Sequence, residues 1–204
     1  MSREIEVKFA VASHRSVAAR LRAAGGEYVG TAVQTDRFFD TPDRALMRTD
    51  RGLRIRTVRR LRGWAKAADR RPLVTYKGPR RARGAVKARA EIQTHIDDAA
   101  ALERILEACG LRLVLTIQKR RASYRLGQCM VELDELPRIG RFVEIEGPDE
   151  RTIQAAREAI GLKGEPLTET YVALVDAACG RIDVCRTVTF AHCAGCRLRP
   201  GKRR

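Results

Sequence analysis

Charged residues two positions apart recur along this chain, and that spacing limits its fold more than any other feature. Glu4, Glu6 and Lys8 alternate with Ile5, Val7 and Phe9. At the two-residue period of a strand, the charges share one face and the apolar residues the other. The pattern returns at Arg54 and Arg56 around Ile55, at Arg89 and Glu91 around Ala90, and at Lys119 and Arg121. It returns again at Glu132 and Asp134 around Leu133, and at Glu144 and Glu146 around Ile145. With helices over the apolar face, the charged face either meets water or lines the bore of a closed barrel. Its repetition on nearly every strand favours the bore.

Helical patterns separate the strands. Ser13 is placed to cap a helix over 14–24 with Val17, Ala18, Leu21 and Ala24 on one face. Asp97 and Asp98 precede a second, with Leu102, Ile105, Leu106 and Cys109 on its apolar side. Two more are predicted at 149–160 and 168–179. Strands are predicted over 33–40, 53–58, 73–77, 86–94, 113–126, 128–135 and 140–147, with Gly127 and the Pro137–Gly140 stretch as turns. With the first stretch, about eight strands result, the number at which a closed barrel encloses room for one small ligand. The fold class is therefore α+β. The basic stretch 59–71 reads as a mobile loop between hairpin strands.

The inward candidates comprise six acids, Glu4, Glu6, Glu91, Asp134, Glu144 and Glu146, and seven bases, Lys8, Arg54, Arg56, Lys77, Arg89, Lys119 and Arg121. Carboxylates packed so closely stay ionised only with cations between them. Oxygen ligands without histidine suit Mg²⁺ or Mn²⁺ rather than zinc. The bases, and any bound metal, then call for an anion, and arginine forks match phosphate oxygens. The alternative is an inert ladder of internal salt bridges, which rarely raises stability.

These residues resemble the CYTH family, the triphosphate tunnel metalloenzymes. Glu4-x-Glu6-x-Lys8 is similar to the family's ExExK signature. Gln34-x-Asp36-x-Phe38-Phe39-Asp40-Thr41, Leu53-Arg54-Ile55-Arg56, Thr75-Tyr76-Lys77-Gly78-Pro79, Arg89-x-Glu91, Lys119-x-Arg121, Asp134 and Phe142-Val143-Glu144-Ile145-Glu146 follow in the family's order. The resemblance spans about residues 3–176. It implies an eight-stranded antiparallel β-barrel, the triphosphate tunnel, with helices packed outside, and a divalent-metal-dependent reaction on a triphosphate. It implies Glu4, Glu6, Asp134, Glu144 and Glu146 as metal ligands, and Lys8, Arg54, Arg56, Lys77, Lys119 and Arg121 as the phosphate grip. Arg89 and Glu91 would steady the wall or the substrate. Family members cyclise ATP to cyclic AMP and pyrophosphate, or hydrolyse thiamine triphosphate, tripolyphosphate or a nucleotide γ-phosphate. The Thr75–Pro79 and Gly140–Glu146 blocks are more similar to the class IV adenylyl cyclases, a branch that implies a homodimer.

Residues 1–179 form the expected tunnel domain, and 180–204 a basic, cysteine-containing flexible tail. Its Cys185, Cys193 and Cys196 leave zinc binding, redox use and plain unstructured thiols as alternatives. Cys109 and Cys129 read as reduced core residues. A net charge of +16 also admits nucleic-acid binding through 59–71, 80–83 and the tail. Against that, the bases alternate with acids on shared strand faces, and aromatic content is 5%, scant for stacking bases. No apolar run approaches a membrane span, and the absence of a leader-like apolar stretch predicts a cytoplasmic protein.

Overall fold

The computed structural model describes residues 2–64, 71–79, 81–83, 86–179 and 187–191; of residues 2–4, 81–83, 86–88 and 179 it describes the backbone alone. Glu4 is thus placed by its main chain only, and His192, Cys185, Cys193 and Cys196 lie outside the described residues.

The elements run β1 (Ser2–Ala10), α1 (His14–Ala23), β2 (Glu27–Asp40), α2 (Ala45–Arg48), β3 (Gly52–Gly63), β4 (Leu73–Lys77), β5 (Arg81–Arg83), β6 (Val86–His95), α3 (Ala99–Ala108), β7 (Arg112–Leu126), β8 (Cys129–Leu136), β9 (Gly140–Glu146), α4 (Glu150–Ala159), α5 (Tyr171–Cys179) and β10 (Thr187–Val188). Eight of the strands form one curled antiparallel sheet in the order β1-β9-β8-β7-β2-β3-β4-β6. β1 pairs with β9 through Glu6–Ala10 and with β6 through Ser2–Glu6. β5 extends β6 as a hairpin, and β10 runs parallel to β7.

The alternation explains how the sheet is covered. Val7 and Phe9 of β1, Val131 and Leu133 of β8, and Val143 and Ile145 of β9 face outward. They pack against Val17 and Leu21 of α1 and Ile153, Ala156 and Ile160 at α4, all buried. Burying a side chain of this size contributes about 1.5–3 kcal/mol, so these faces fix which way the sheet curls. Asp98 and Asp149 cap α3 and α4 by accepting bonds from Ala101 N and Thr152 N. Ser13 occupies the N-cap of α1 but makes no side-chain cap bond. A second core gathers Leu115, Ile117, Leu136, Phe142, Val175 and Val188. Through it α5 reaches over the inner side of the sheet, so the helices are not all outside.

Two expectations change. The stretch 59–63 is not loop but the end of β3, paired to β2 across a bulge between Thr31 and Ala32. The close Gly30–Gly63 approach makes room for Trp64 to lie over Gly30, where a Cβ would strike the indole, and Trp64 N donates to Val29 O at 2.7 Å. Residues 65–70 of that stretch lie outside the described residues. Within the segment read as tail, Thr187 and Val188 pair with Thr116 and Ile117, and Val188 is fully buried. Of the two described thiols, Cys129 is buried, whereas Cys109 is exposed at the end of α3. Among the described residues, no helix is long and apolar enough to cross a membrane.

Candidate active site

The concave face of the sheet bounds a cavity of about 310 Å³. Lys8 and Glu6 reach it from β1, Arg54 and Arg56 from β3, Lys77 from β4, Arg89 and Glu91 from β6, Lys119 and Arg121 from β7, and Glu144 and Glu146 from β9. Side chains predicted to look inward thus line one space. Asp134 lies just behind it, with no exposed surface.

Two aspartates organise the basic groups. Asp36 accepts from Arg56 Nε at 2.6 Å and from Arg56 Nη2 at 2.7 Å, with Arg54 Nη1 at 3.4 Å. Burial pushes the Asp36 carboxyl up, but the Arg56 and Arg54 guanidiniums outweigh it and hold the group well below the ordinary range. Asp134 Oδ1 accepts from Arg121 Nε at 2.7 Å. Its Oδ2 accepts from Lys119 Nζ at 2.9 Å, from Tyr171 Oη at 2.8 Å and from Arg121 Nη2. Arg121 also pairs with Glu144, which takes Lys8 Nζ at 3.3 Å as well. Burial acts to raise Glu144, and Lys119, Lys8 and Arg121 overcome it, leaving the carboxyl well below its usual value. Lys119 moves the other way: burial and the Arg121 charge lower it to about 8 against the pull of Asp134 and Glu144. Lys77 pairs with Glu91 at 3.3 Å.

The acids sort into two kinds. Glu6 stands opposite Glu146 in the β1–β9 ladder, and Glu132 opposite Glu144 in the β8–β9 ladder. Like charges facing each other across a sheet are unfavourable without a counter-charge. Burial raises the Glu132 carboxyl, the Arg121 charge opposing it. An all-oxygen set of this kind has the chemistry of a hard divalent cation site. Among the described residues no three ligating side chains are already gathered as a cation cluster. Glu6, Glu144 and Glu146 are the groups whose chemistry fits such an ion, and Glu4 shares β1 with Glu6. Asp134, expected with them, has both oxygens engaged by four donors on Arg121, Lys119 and Tyr171, and Glu144 likewise has one oxygen on Lys8 and the other on Arg121.

Several lining residues were not singled out from the sequence as site residues. Tyr171 carries Lys8 at 3.9 Å and Lys119 at 4.8 Å from its ring centroid. A lone tyrosine at the start of a helix gives no local sign of this. Thr75 is fully buried at the cavity wall, its hydroxyl without a hydrogen-bond partner among the described residues. Glu132 was legible from its pairing with Asp134 two residues on, and Asp36 from its alternation with Phe38.

Comparison with known proteins gives a consistent picture. A family model for the CYTH domain matches residues 2–168. The adenylate cyclase CyaB of Aeromonas hydrophila is 32% identical over 143 residues, 70% of this chain and 67% of that protein. The PH1819 protein of Pyrococcus horikoshii superposes with a TM-score of 0.68 at 26% identity, over 84% of this chain and 97% of that one. The Hippeastrum protein HpAC1, whose structure is reported with a dominant triphosphatase activity, superposes with a TM-score of 0.64 at 18% identity, over 87% and 96%.

Proposed function

This chain belongs to the CYTH domain family, and from that premise we propose that its curled sheet acts as a closed tunnel that binds a triphosphate and, with Mg²⁺ or Mn²⁺, converts ATP to cyclic AMP and pyrophosphate. The observation that carries the reading is the convergence of seven basic side chains, from five strands, on one cavity. Acids line the same cavity, and with a divalent ion held among them the positive charge exceeds the negative by an amount that a polyphosphate neutralises.

The contacts and the cavity lining support the following roles. Lys8, Arg54, Lys77, Arg89, Lys119 and Arg121 present donors to phosphate oxygens. Arg56 is held by Asp36 on two bonds, and Arg121 by Asp134 on two. Donors fixed before substrate arrives need no reorganisation as charge develops, which favours the transition state. Glu91 steadies Lys77. Glu6, Glu144 and Glu146, with Glu4, would hold the divalent ion, and Asp134 orders the cations beside them. Bound there, the ion supplies neutralising charge to the phosphate oxygens and acidity to the attacking hydroxyl. The cyclase relative CyaB favours ribose O3′ as the attacking group over water.

The test is to incubate the protein with ATP, tripolyphosphate or thiamine triphosphate, each with Mg²⁺ and with Mn²⁺. Cyclic AMP plus pyrophosphate is expected; orthophosphate as the product would replace cyclisation by hydrolysis, as reported for HpAC1. No metal-dependent turnover of any of the three would overturn the reading. Glu6→Gln should cut turnover by at least the roughly tenfold to hundredfold that loss of a group supporting a metal site costs, with the circular dichroism spectrum unchanged.

A further inference from the structure

The outer face of the sheet is basic where β3, β2 and β7 lie side by side. Asp36, Arg54, Arg56, Lys119 and Arg121 line the cavity, so the residues alternating with them face the other way. Register sets Arg59, Val33, Arg120, Glu135 and Arg141 next to one another across β3, β2, β7, β8 and β9. Four strand spacings make this row about 19 Å long. Arg59, Arg120 and Arg141 are exposed, whereas Val33, between the first two, is buried. Glu135 is the only acid in the row, and two arginines share it: Arg120 at 2.9 Å and Arg141 at 3.7 Å. Arg59 pairs with no carboxylate among the described residues. The adjoining row, Thr57, Thr35 and Gln118, is uncharged.

Two aromatic rings flank the row, each with a guanidinium near it. Arg120 lies 4.9 Å from the Phe190 ring centroid, and Arg62, exposed near the end of β3, lies 5.9 Å from that of Tyr28. Phe190 and Tyr28 each keep 39% of their surface open. Both are fixed in place. Phe190 N donates to Gln118 Oε1 at 3.2 Å, and the Tyr28 hydroxyl bonds Thr31 Oγ1 at 2.6 Å while its ring meets Tyr124 edge-on. The bases that alternate with acids in the sequence are the inward ones. On the outer side the arginines stand almost unopposed, beside open rings, which fits a polyanion that also carries flat groups.

We infer that this outer face binds single-stranded nucleic acid, with phosphates on Arg59, Arg62 and Arg120 and bases on Phe190 and Tyr28. A second copy of the chain fits the face poorly, because a twofold contact would set arginine against arginine. The inference is independent of the triphosphate reading, since none of these side chains lines the cavity.

The test is fluorescence anisotropy of the full chain with a labelled oligouridylate bearing a 5′-hydroxyl, about 20 nucleotides long so as to exceed one site. Salt is varied between about 50 and 200 mM. Binding is expected, with log K falling against log salt at a slope of about −2 for three phosphate contacts. Arg59→Glu combined with Arg120→Glu should weaken binding roughly tenfold or more and flatten the slope by about 1.4, the share of two contacts. Arg104→Glu combined with Arg151→Glu makes the same change in net charge on α3 and α4. It should leave affinity within about twofold near physiological salt, where distant charges are screened. Phe190→Ala should cost about fivefold or more, on the scale of one base stacked on a ring. Arg59→Glu alone serves if the double variant does not fold. Equal losses in the two double variants would show that net charge alone holds the strand, and would overturn the inference. So would Phe190→Ala without effect, heparin competing as well as unlabelled oligouridylate, no binding at the lower salt, or binding only to phosphatidylserine vesicles.

Discussion

Asp36 shows how one carboxylate sets the basic wall. It bridges Arg54 and Arg56 from a position with 6% exposure. Arg56, expected only to grip phosphate, is therefore also a structural partner. Replacing Asp36 by Asn leaves Arg56 buried without its counter-charge, a change that costs about 3–5 kcal/mol in comparable pairs. Urea unfolding at neutral pH should show this loss, and equal midpoints would refute it. The pH dependence has a definite sign. The folded-state value lies below the ordinary one, near pH 4 for an aspartate. The stabilisation is thus complete above that value and is lost as pH falls through the folded value. The gap between wild type and Asp36→Asn should be constant near neutrality and shrink progressively below about pH 4. Alternation placed Asp36 on the same strand face as Gln34 and Phe38. Its bond to Arg56, 20 residues away, follows from the β2–β3 register, where the two stand opposite.

The β2–β3 ribbon carries a second test. Gly63 has φ of +71°, a backbone state that favours glycine, and Gly30 lies against both Gly63 and the Trp64 ring. Arg60 sits 5.6 Å from that ring. In Gly30→Ala the added methyl falls on the indole, which must move; overpacking of this kind costs about 1–3 kcal/mol. Trp64 is the only tryptophan, so its emission reports the shift directly: a red-shifted spectrum and a lower Tm are expected. An unchanged spectrum would show that Trp64 does not rest on Gly30. A run of arginines around Gly-Trp reads as loop because it lacks an apolar period. Residues 59–63 are strand because β2 is 14 residues long and offers its backbone to the end of β3. Here a partner's free hydrogen-bonding edge outweighs local pattern.

Two apolar cores, one under α1 and α4 and one under α5, hold the sheet in its curl. The charged cavity adds function at some expense in stability, as buried ion pairs usually do. Removing metal should therefore abolish turnover but hardly affect folding. With EDTA, Tm should move by less than the roughly 4–8 °C that 1 kcal/mol represents in a small domain, and less again in a chain of this length. A collapse of Tm on chelation would instead show that the acids need a bound ion to fold.

The two-residue alternation settled which side chains share a sheet face, because that period belongs to the backbone itself. It also set out the acids and bases of the cavity in their order along the chain. It could not show that Asp134 is saturated by Arg121, Lys119 and Tyr171, the last 37 residues away, nor that Leu46 and Met47 line the same cavity as Val172. Those meetings depend on strand register, on the curl imposed by the two apolar cores, and on where α5 comes to rest. Each is set by packing between segments far apart in the chain, and local spacing carries no record of it.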